Sequence, residues 1–298
     1  MDKLEFCPLC ASKKLVLKGE AKDYLVSNQM FGLMECKACG FVFTNPRPVL
    51  DKLGGYYKSA DYISHADKPK DFVARVYVAV RNYMFRQKSA MLRSLKGGGD
   101  DVFVLDYGCA TGEFLAFLNK KGFRVAGFEP DAVARQLAVD KGLDVRDEKK
   151  LMNGALHGKV DLITLWHVFE HIPDFHEKIH LFDALLKKDG VIVVAVPEYK
   201  SFDARFYGLD WAAWDVPRHL NHFEEKTIRM LFEGNGFKYT GKKPLVFDSF
   251  YVSMLTEKTK RNGFFGVVRG LGIGLISLVY GLLRKYPFSS QIYIFKKS

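Results

Sequence analysis

From residue 101 onward, short unbroken apolar runs alternate with stretches whose apolar residues recur at helical spacing. Val102-Phe-Val-Leu105, Phe123-Arg-Val-Ala-Gly-Phe128, Leu143 to Arg146, Val160-Asp-Leu-Ile-Thr-Leu-Trp166 and Val191 to Val196 read as strands. Consecutive apolar positions are what a strand covered on both faces requires. Helices are expected after Gly112, from about Asp131 to Lys141, and from Asp174 to about Lys188. The Asp174-Phe-His-Glu177 sequence opens the last of these with a capping box. Strand and helix in alternation build a doubly wound α/β sheet. Further on, the pattern predicts a helix from Glu224 to Glu233 ended by Asn235-Gly236, a strand through Leu245 to Leu255, and a last strand from Gln291 to Lys297.

Two other stretches stand out by pattern. Between Asp71 and Leu95, apolar residues at Phe72, Val73, Val76, Tyr77, Val80, Tyr83, Met84, Met91 and Leu95 mark one long helix, closed by Gly97-Gly-Gly99. Phe264 to Leu283 is apolar apart from Arg269. Its uncharged part, Gly270 to Leu283, would make about 21 Å of helix against a hydrocarbon core of roughly 30 Å, so no transmembrane span is expected. Gly266, Gly270 and Gly274 form a small-residue ridge for close packing. The helix is expected on the sheet, with peripheral membrane contact or a homodimer through 264–283 as alternatives.

Candidate chemistry begins where the first strand ends, at Asp106-Tyr-Gly108-Cys-Ala110-Thr-Gly112. Gly108 and Gly112 allow a sharp turn and close approach to a ligand, and the next helix aims its free N–H groups at that turn. The dinucleotide pattern G-x-G-x-x-G fails, because its positions would be Gly108, Ala110 and Glu113. The Asp-x-Gly-x-x-x-Gly pattern resembles motif I of the class I S-adenosylmethionine (SAM) methyltransferases, with Ala110 where that family usually has a third glycine. The resemblance covers about 100–298. It implies a seven-stranded sheet binding SAM, with Glu129, at the end of the second strand, accepting hydrogen bonds from the ribose. Asp106, Gly108, Ala110, Gly112, Trp166 and His167 border the same pocket. His167-Val-Phe-Glu170-His171 also fits the H-x-x-E-H pattern of inverted zinc proteases, but Pro173 leaves no room for the helix that chemistry needs. It resembles motif IV of the methyltransferases instead.

Trp211-Ala-Ala-Trp214-Asp215-Val-Pro217-Arg218-His219-Leu-Asn221-His222-Phe223 gathers polar and aromatic groups beyond the fifth strand. It resembles the Asp-x-Pro-Arg-His-x-x-x-Phe signature of bacterial methyltransferases associated with surface-glycan biosynthesis. That resemblance implies methylation of a sugar or sugar-nucleotide hydroxyl. His219 is the candidate base, with His222 as its rival; Asp215 would orient an imidazole and Arg218 would hold a substrate anion. The tryptophans could stack on a sugar or simply be buried.

The two C-x-x-C pairs, Cys7/Cys10 and Cys36/Cys39, can close a structural four-thiolate zinc site. The fifth cysteine, Cys109, reads as packing. The expected organisation is a zinc ribbon at 1–48 that ends in the Thr44-Asn-Pro46-Arg-Pro48 turn, a linker and helix at 49–99, and a methyltransferase domain at 100–298. The net charge is +11, split as +7 for residues 1–100, −3 for 101–200 and +7 for 201–298. A mildly acidic core with basic flanks suits an anionic small molecule or glycan. RNA methylation, with the ribbon contacting RNA, is the alternative enzyme reading, and a zinc-ribbon module with a SAM-sensing domain the alternative non-enzyme one. The N-terminus shows no apolar signal core, so a cytoplasmic protein, peripheral to the inner face of the membrane at most, is expected.

Overall fold

The computed structural model describes residues 1–57, 72–98, 101–260 and 263–298. The expected helix start at Asp71, the closing Gly99, and the side chains of Phe72, Val73, Val76 and Tyr77 lie outside the described residues. Eleven strands are present among those described: β1 (Leu15–Lys22), β2 (Met30–Cys36), β3 (Val42–Thr44), β4 (Phe103–Tyr107), β5 (Arg124–Phe128), β6 (Val145–Arg146), β7 (Val160–Trp166), β8 (Leu186–Pro197), β9 (Asn221–His222), β10 (Phe237–Pro244) and β11 (Ser290–Lys297). Seven of them form the expected sheet, in the order β10-β11-β8-β7-β4-β5-β6. The core pairs are parallel, and β11 runs antiparallel to both β8 and β10.

Burial follows the apolar runs. Phe103, Leu105, Ile163, Leu165, Ile192 and Val194 face one layer, whose helices are Phe175–Leu185 and Glu225–Glu233. The alternate residues Val104, Leu162, Val191 and Val193 face the other, where Glu113–Lys120 and Phe72–Leu95 pack through Phe114, Leu118, Met91 and Leu92. This two-sided cover is why the core strands read as continuous apolar runs.

A second sheet has the order β1-β2-β3-β9, so its last strand comes from Asn221–His222, far along the chain. Cys7, Cys36, Cys39, Phe41 and Phe43 belong to the same buried cluster as the main sheet's first face. The N-terminal unit is therefore packed onto the main sheet.

Three expectations are corrected. The Gly263–Leu282 helix, expected on the sheet, packs instead on the Asp248–Thr259 helix, with Gly270 against Met254 and Gly274 against Phe250. The strand forecast through Leu245 to Leu255 is instead β10, ending at Pro244, followed by a helix, Asp248–Thr259. Its buried residues Ser249, Val252, Ser253, Thr256 and Glu257 have helical spacing, but all except Val252 are polar, so the apolar pattern hid the period. The helix forecast to Lys188 ends at Leu185, because β8 begins at once.

Candidate active site

Strand order reverses at β4 and β7, which opens a crevice beyond their carboxyl ends. Gly108 and Gly112 take φ of +80° and +76° there. A Cβ on Gly108 would stand 2.5 Å from Val168 Cγ2, and one on Gly112 would stand 2.6 Å from Leu143 Cδ1. Ala110 is also left-handed, at φ +48°, which explains why a glycine is usual at this position and what its absence costs, about 1–2 kcal/mol. The Ala110 N–H donates to Glu129 Oε2 at 2.8 Å and offsets that strain. Glu129 Oε1 accepts the Asp131 N–H at 2.9 Å, so each carboxylate oxygen keeps a lone pair for a ligand hydroxyl.

Asp106 is buried, and burial pushes its pKa up to about 6, opposed by donation from Thr164 Oγ1 at 2.6 Å. Nearby, Trp166 Nε1 is buried without a hydrogen-bond partner. Lys88 Nζ sits 3.8 Å from the Trp166 ring centroid, and burial lowers its pKa to about 8. An orphaned donor, a poised ammonium, the glycine turn and Glu129 together fit a ligand that carries a ribose and a carboxylate, as SAM does.

His167 has φ +55° and places Nε2 3.0 Å from Asp248 Oδ2 and Nδ1 3.4 Å from Glu170 Oε1. Burial disfavours its charge, but these carboxylates raise its pKa to about 10. Glu170 is 1% exposed, and neither of its oxygens has a hydrogen-bond partner. Burial would raise its pKa, yet the surrounding histidines hold it below the ordinary carboxyl range. His171 donates Nδ1–H toward the Arg218 carbonyl at 3.0 Å, and burial beside His219 lowers its pKa to about 4.

The Trp211–Phe223 loop returns to this point. His219 Nδ1 donates to the Ala213 carbonyl at 2.9 Å, which leaves Nε2 as an acceptor, 3.9 Å from Glu170 Oε1 and 3.7 Å from Asp215 Oδ2. Donor atoms of Glu170, His171 and His219 all lie within 4.8 Å of one another. His222 is elsewhere: its Nε2 meets Thr44 Oγ1 at 3.0 Å inside the second sheet, and burial holds its pKa well below 6.5. Asp215 is spent on Arg218, which it grips through Nε at 3.0 Å and Nη2 at 2.7 Å. Arg218 itself is 1% exposed and also bonds Asp23 and the Tyr56 carbonyl. The sequence expectation that Arg218 holds a substrate anion is therefore corrected: its donors are spent inside the protein, where it pins the loop to the ribbon. Trp211 and Trp214 are buried and donate to Asp203 and the Gly208 carbonyl, so they pack rather than stack on a ligand.

The four ribbon thiols converge, with Cys7–Cys39 and Cys10–Cys36 Sγ separations of 3.6 Å and every pair within 4.8 Å. None is in a disulfide. Bonds of about 2.3 Å to a tetrahedral zinc put thiolates about 3.8 Å apart, so the donor set fits.

Lys88, Thr164, Asp248 and Asp23 went unremarked in the sequence. Lys88 carried a signal, since it falls on the same helical stripe as Met84 and Leu92, and a lysine on a buried stripe needs a reason. Asp23 and Asp248 act through partners 195 and 81 residues away, for which no local pattern exists.

A family model described as a methyltransferase domain matches residues 77–241. The C-methyltransferase NovU of Streptomyces niveus is 28% identical over 150 residues, covering 47% of this chain and 33% of that protein. A ubiquinone biosynthesis O-methyltransferase of Haemophilus ducreyi is 28% identical over 135 residues, covering 41% of this chain and 57% of its own length. This chain thus spans less than two thirds of either relative. A solved structure of a putative sarcosine dimethylglycine methyltransferase from Galdieria sulphuraria superposes with a TM-score of 0.51 at 16% identity, covering 76% of this chain and 88% of that one, and it shares the fold.

Proposed function

Because the chain belongs to the methyltransferase-domain family, we propose that it moves a methyl group from SAM to a small-molecule or glycan-precursor acceptor, specifically a sugar or sugar-nucleotide hydroxyl. The observation that carries this reading is the buried Glu170 carboxylate, which faces His167 at 3.4 Å and has His219 Nε2 beside it at 3.9 Å. SAM, when bound, supplies a methyl carbon already activated by its sulfonium sulfur. This chain's part is to place the acceptor oxygen and accept its proton. His219 takes that proton on Nε2 while Ala213 fixes the tautomer, and Glu170 stabilises the imidazolium that results. With SAM bound, its methyl group would pass to the acceptor oxygen and leave S-adenosylhomocysteine, and His219 would keep the acceptor's proton until solvent removes it. Glu129 holds the ribose, and Lys88 is placed to meet a carboxylate.

The acceptor is small in this reading, because His219 is 9% exposed and lies behind a docked ribbon. A polymer such as RNA would have to reach a base held that deep, and Cys7, Cys36 and Cys39 of the ribbon are packed into the core. The relatives' names cover carbon and oxygen methylation, and a buried base serves either acceptor. The ribbon holds one zinc through Cys7, Cys10, Cys36 and Cys39. Methyl-labelled SAM offered with a panel of nucleotide sugars, and separately with RNA, tests the proposal. Label is expected in a sugar nucleotide; label in RNA alone would replace this reading.

A further inference from the structure

We propose that the outer face of the Gly263–Leu282 helix is a docking surface for an anionic lipid bilayer, on which the helix lies flat. The helix has two unlike faces. Its inner face is small: a Cβ on Gly270 would stand 2.9 Å from Met254 Cα, and one on Gly274 would stand 2.8 Å from Phe250 Cα. Ser249 Oγ donates to the Gly274 carbonyl at 3.0 Å, and Ser277 Oγ donates to buried Asp203 at 2.7 Å. The outer face is apolar and uncovered. Phe264 and Phe265 are 77% and 83% exposed, and Val268, Leu271, Leu275 and Leu282 are 43–65% exposed. Soluble monomers rarely leave so continuous an apolar strip in water.

Charge selects the occupant. The last 41 residues hold eight Lys or Arg and no Asp or Glu. Arg284 and Lys285 lie exposed at the end of the strip, and Arg269 keeps about half its side chain in solvent while pairing with Glu257 below. Two copies stacked through this face would bring like charges together. Anionic headgroups instead answer them by charge attraction, while the apolar face enters the headgroup–acyl boundary. The helix has 20 residues, about 30 Å, so length permits a span that the shorter uncharged run did not suggest. What keeps it flat is the inner face, where crossing would strip the glycine ridge from the Asp248–Thr259 helix and free Asp203 of a partner. This surface is independent of the acceptor's identity.

Co-sedimentation of the full chain with sealed phosphatidylglycerol/phosphatidylcholine vesicles, and with phosphatidylcholine alone, tests it. Binding to the anionic vesicles is expected, with about tenfold or more weaker binding both to neutral vesicles and by a Phe265→Asp/Leu275→Asp variant. Unchanged SAM affinity verifies that the variant is folded. Trypsin should reach Lys260 and Lys285 from the same side of the vesicle. Four results would overturn the proposal: no binding by the wild type, equal binding by the variant, cleavage at one flank only, or a vesicle-free dimer that the same substitutions dissolve.

Discussion

The glycine corner and the Trp211–Phe223 loop both carry buried charge, but they are held in different ways. At the corner, Glu129 reaches back 19 residues to the Ala110 N–H, and strand, turn and helix follow one another along the chain. In the loop, Arg218 reaches Asp23 across 195 residues, and His222 reaches Thr44 across 178. One site is assembled by local sequence, whereas the other needs the ribbon already docked. The cofactor end should therefore tolerate damage to the ribbon, and the proton-accepting end should not.

The largest effect expected is on the pin between them. Arg218→Met leaves buried Asp23 and half-buried Asp215 without their cation, and breaking a buried pair costs about 3–5 kcal/mol. Urea unfolding should show that loss; a variant of near-wild-type stability would mean the loop is not held from afar. Next comes Glu129→Ala at the corner. Losing a charged acceptor costs roughly 1.5–3 kcal/mol, so calorimetry should show SAM binding weakened by about 10- to 150-fold, with the acceptor's KM little changed.

The two regions should also respond to pH with opposite sign. Burial raises Asp106 to about 6, so across about pH 4–6 the folded chain holds a proton that the unfolded chain has released. Its contribution to stability falls as pH rises through that window, and Asp106→Asn should flatten the decline. For Asp23, burial also pushes the pKa up, but hydrogen bonds from Ser27 and the Arg218 charge outweigh it and lower the pKa. Its contribution is present above about pH 4 and is lost as pH falls further, and Asp23→Asn should remove that acid-side loss. Unfolding midpoints measured across pH 3–7 check both signs. The smallest expected change is none: chelating the proposed ribbon zinc should leave the SAM dissociation constant unaltered while turnover drops, because the Thr44 hydroxyl on β3 donates to the His219 carbonyl at 2.7 Å and so helps to place that residue.

This difference also decides what could be read from the chain alone. The five core strands, the glycine turn, Glu129 and the four cysteines were legible, since each rests on periodicity or short spacing. His219 was legible as a candidate, but the roles of Arg218, His222 and the tryptophans were not. A buried ion pair and a free one have the same sequence, and only the docked β1–β3 unit makes Arg218 structural. Glu170 was visible only within a protease-like pattern, and its unpaired oxygens emerge once His167, His171 and His219 surround it. The Asp248–Thr259 helix was misread because serine and threonine fill its buried face against a glycine ridge.

The central claim is that His219, presented by distant contacts, takes the acceptor's proton while the corner binds SAM unaided. Single-turnover methyl transfer by His219→Gln, with SAM saturating and its dissociation constant measured alongside, tests this most directly. The account predicts a rate lower by about 10²–10⁴-fold with SAM affinity retained. A folded variant transferring methyl at close to the wild-type rate, or one losing SAM binding in parallel, would contradict it.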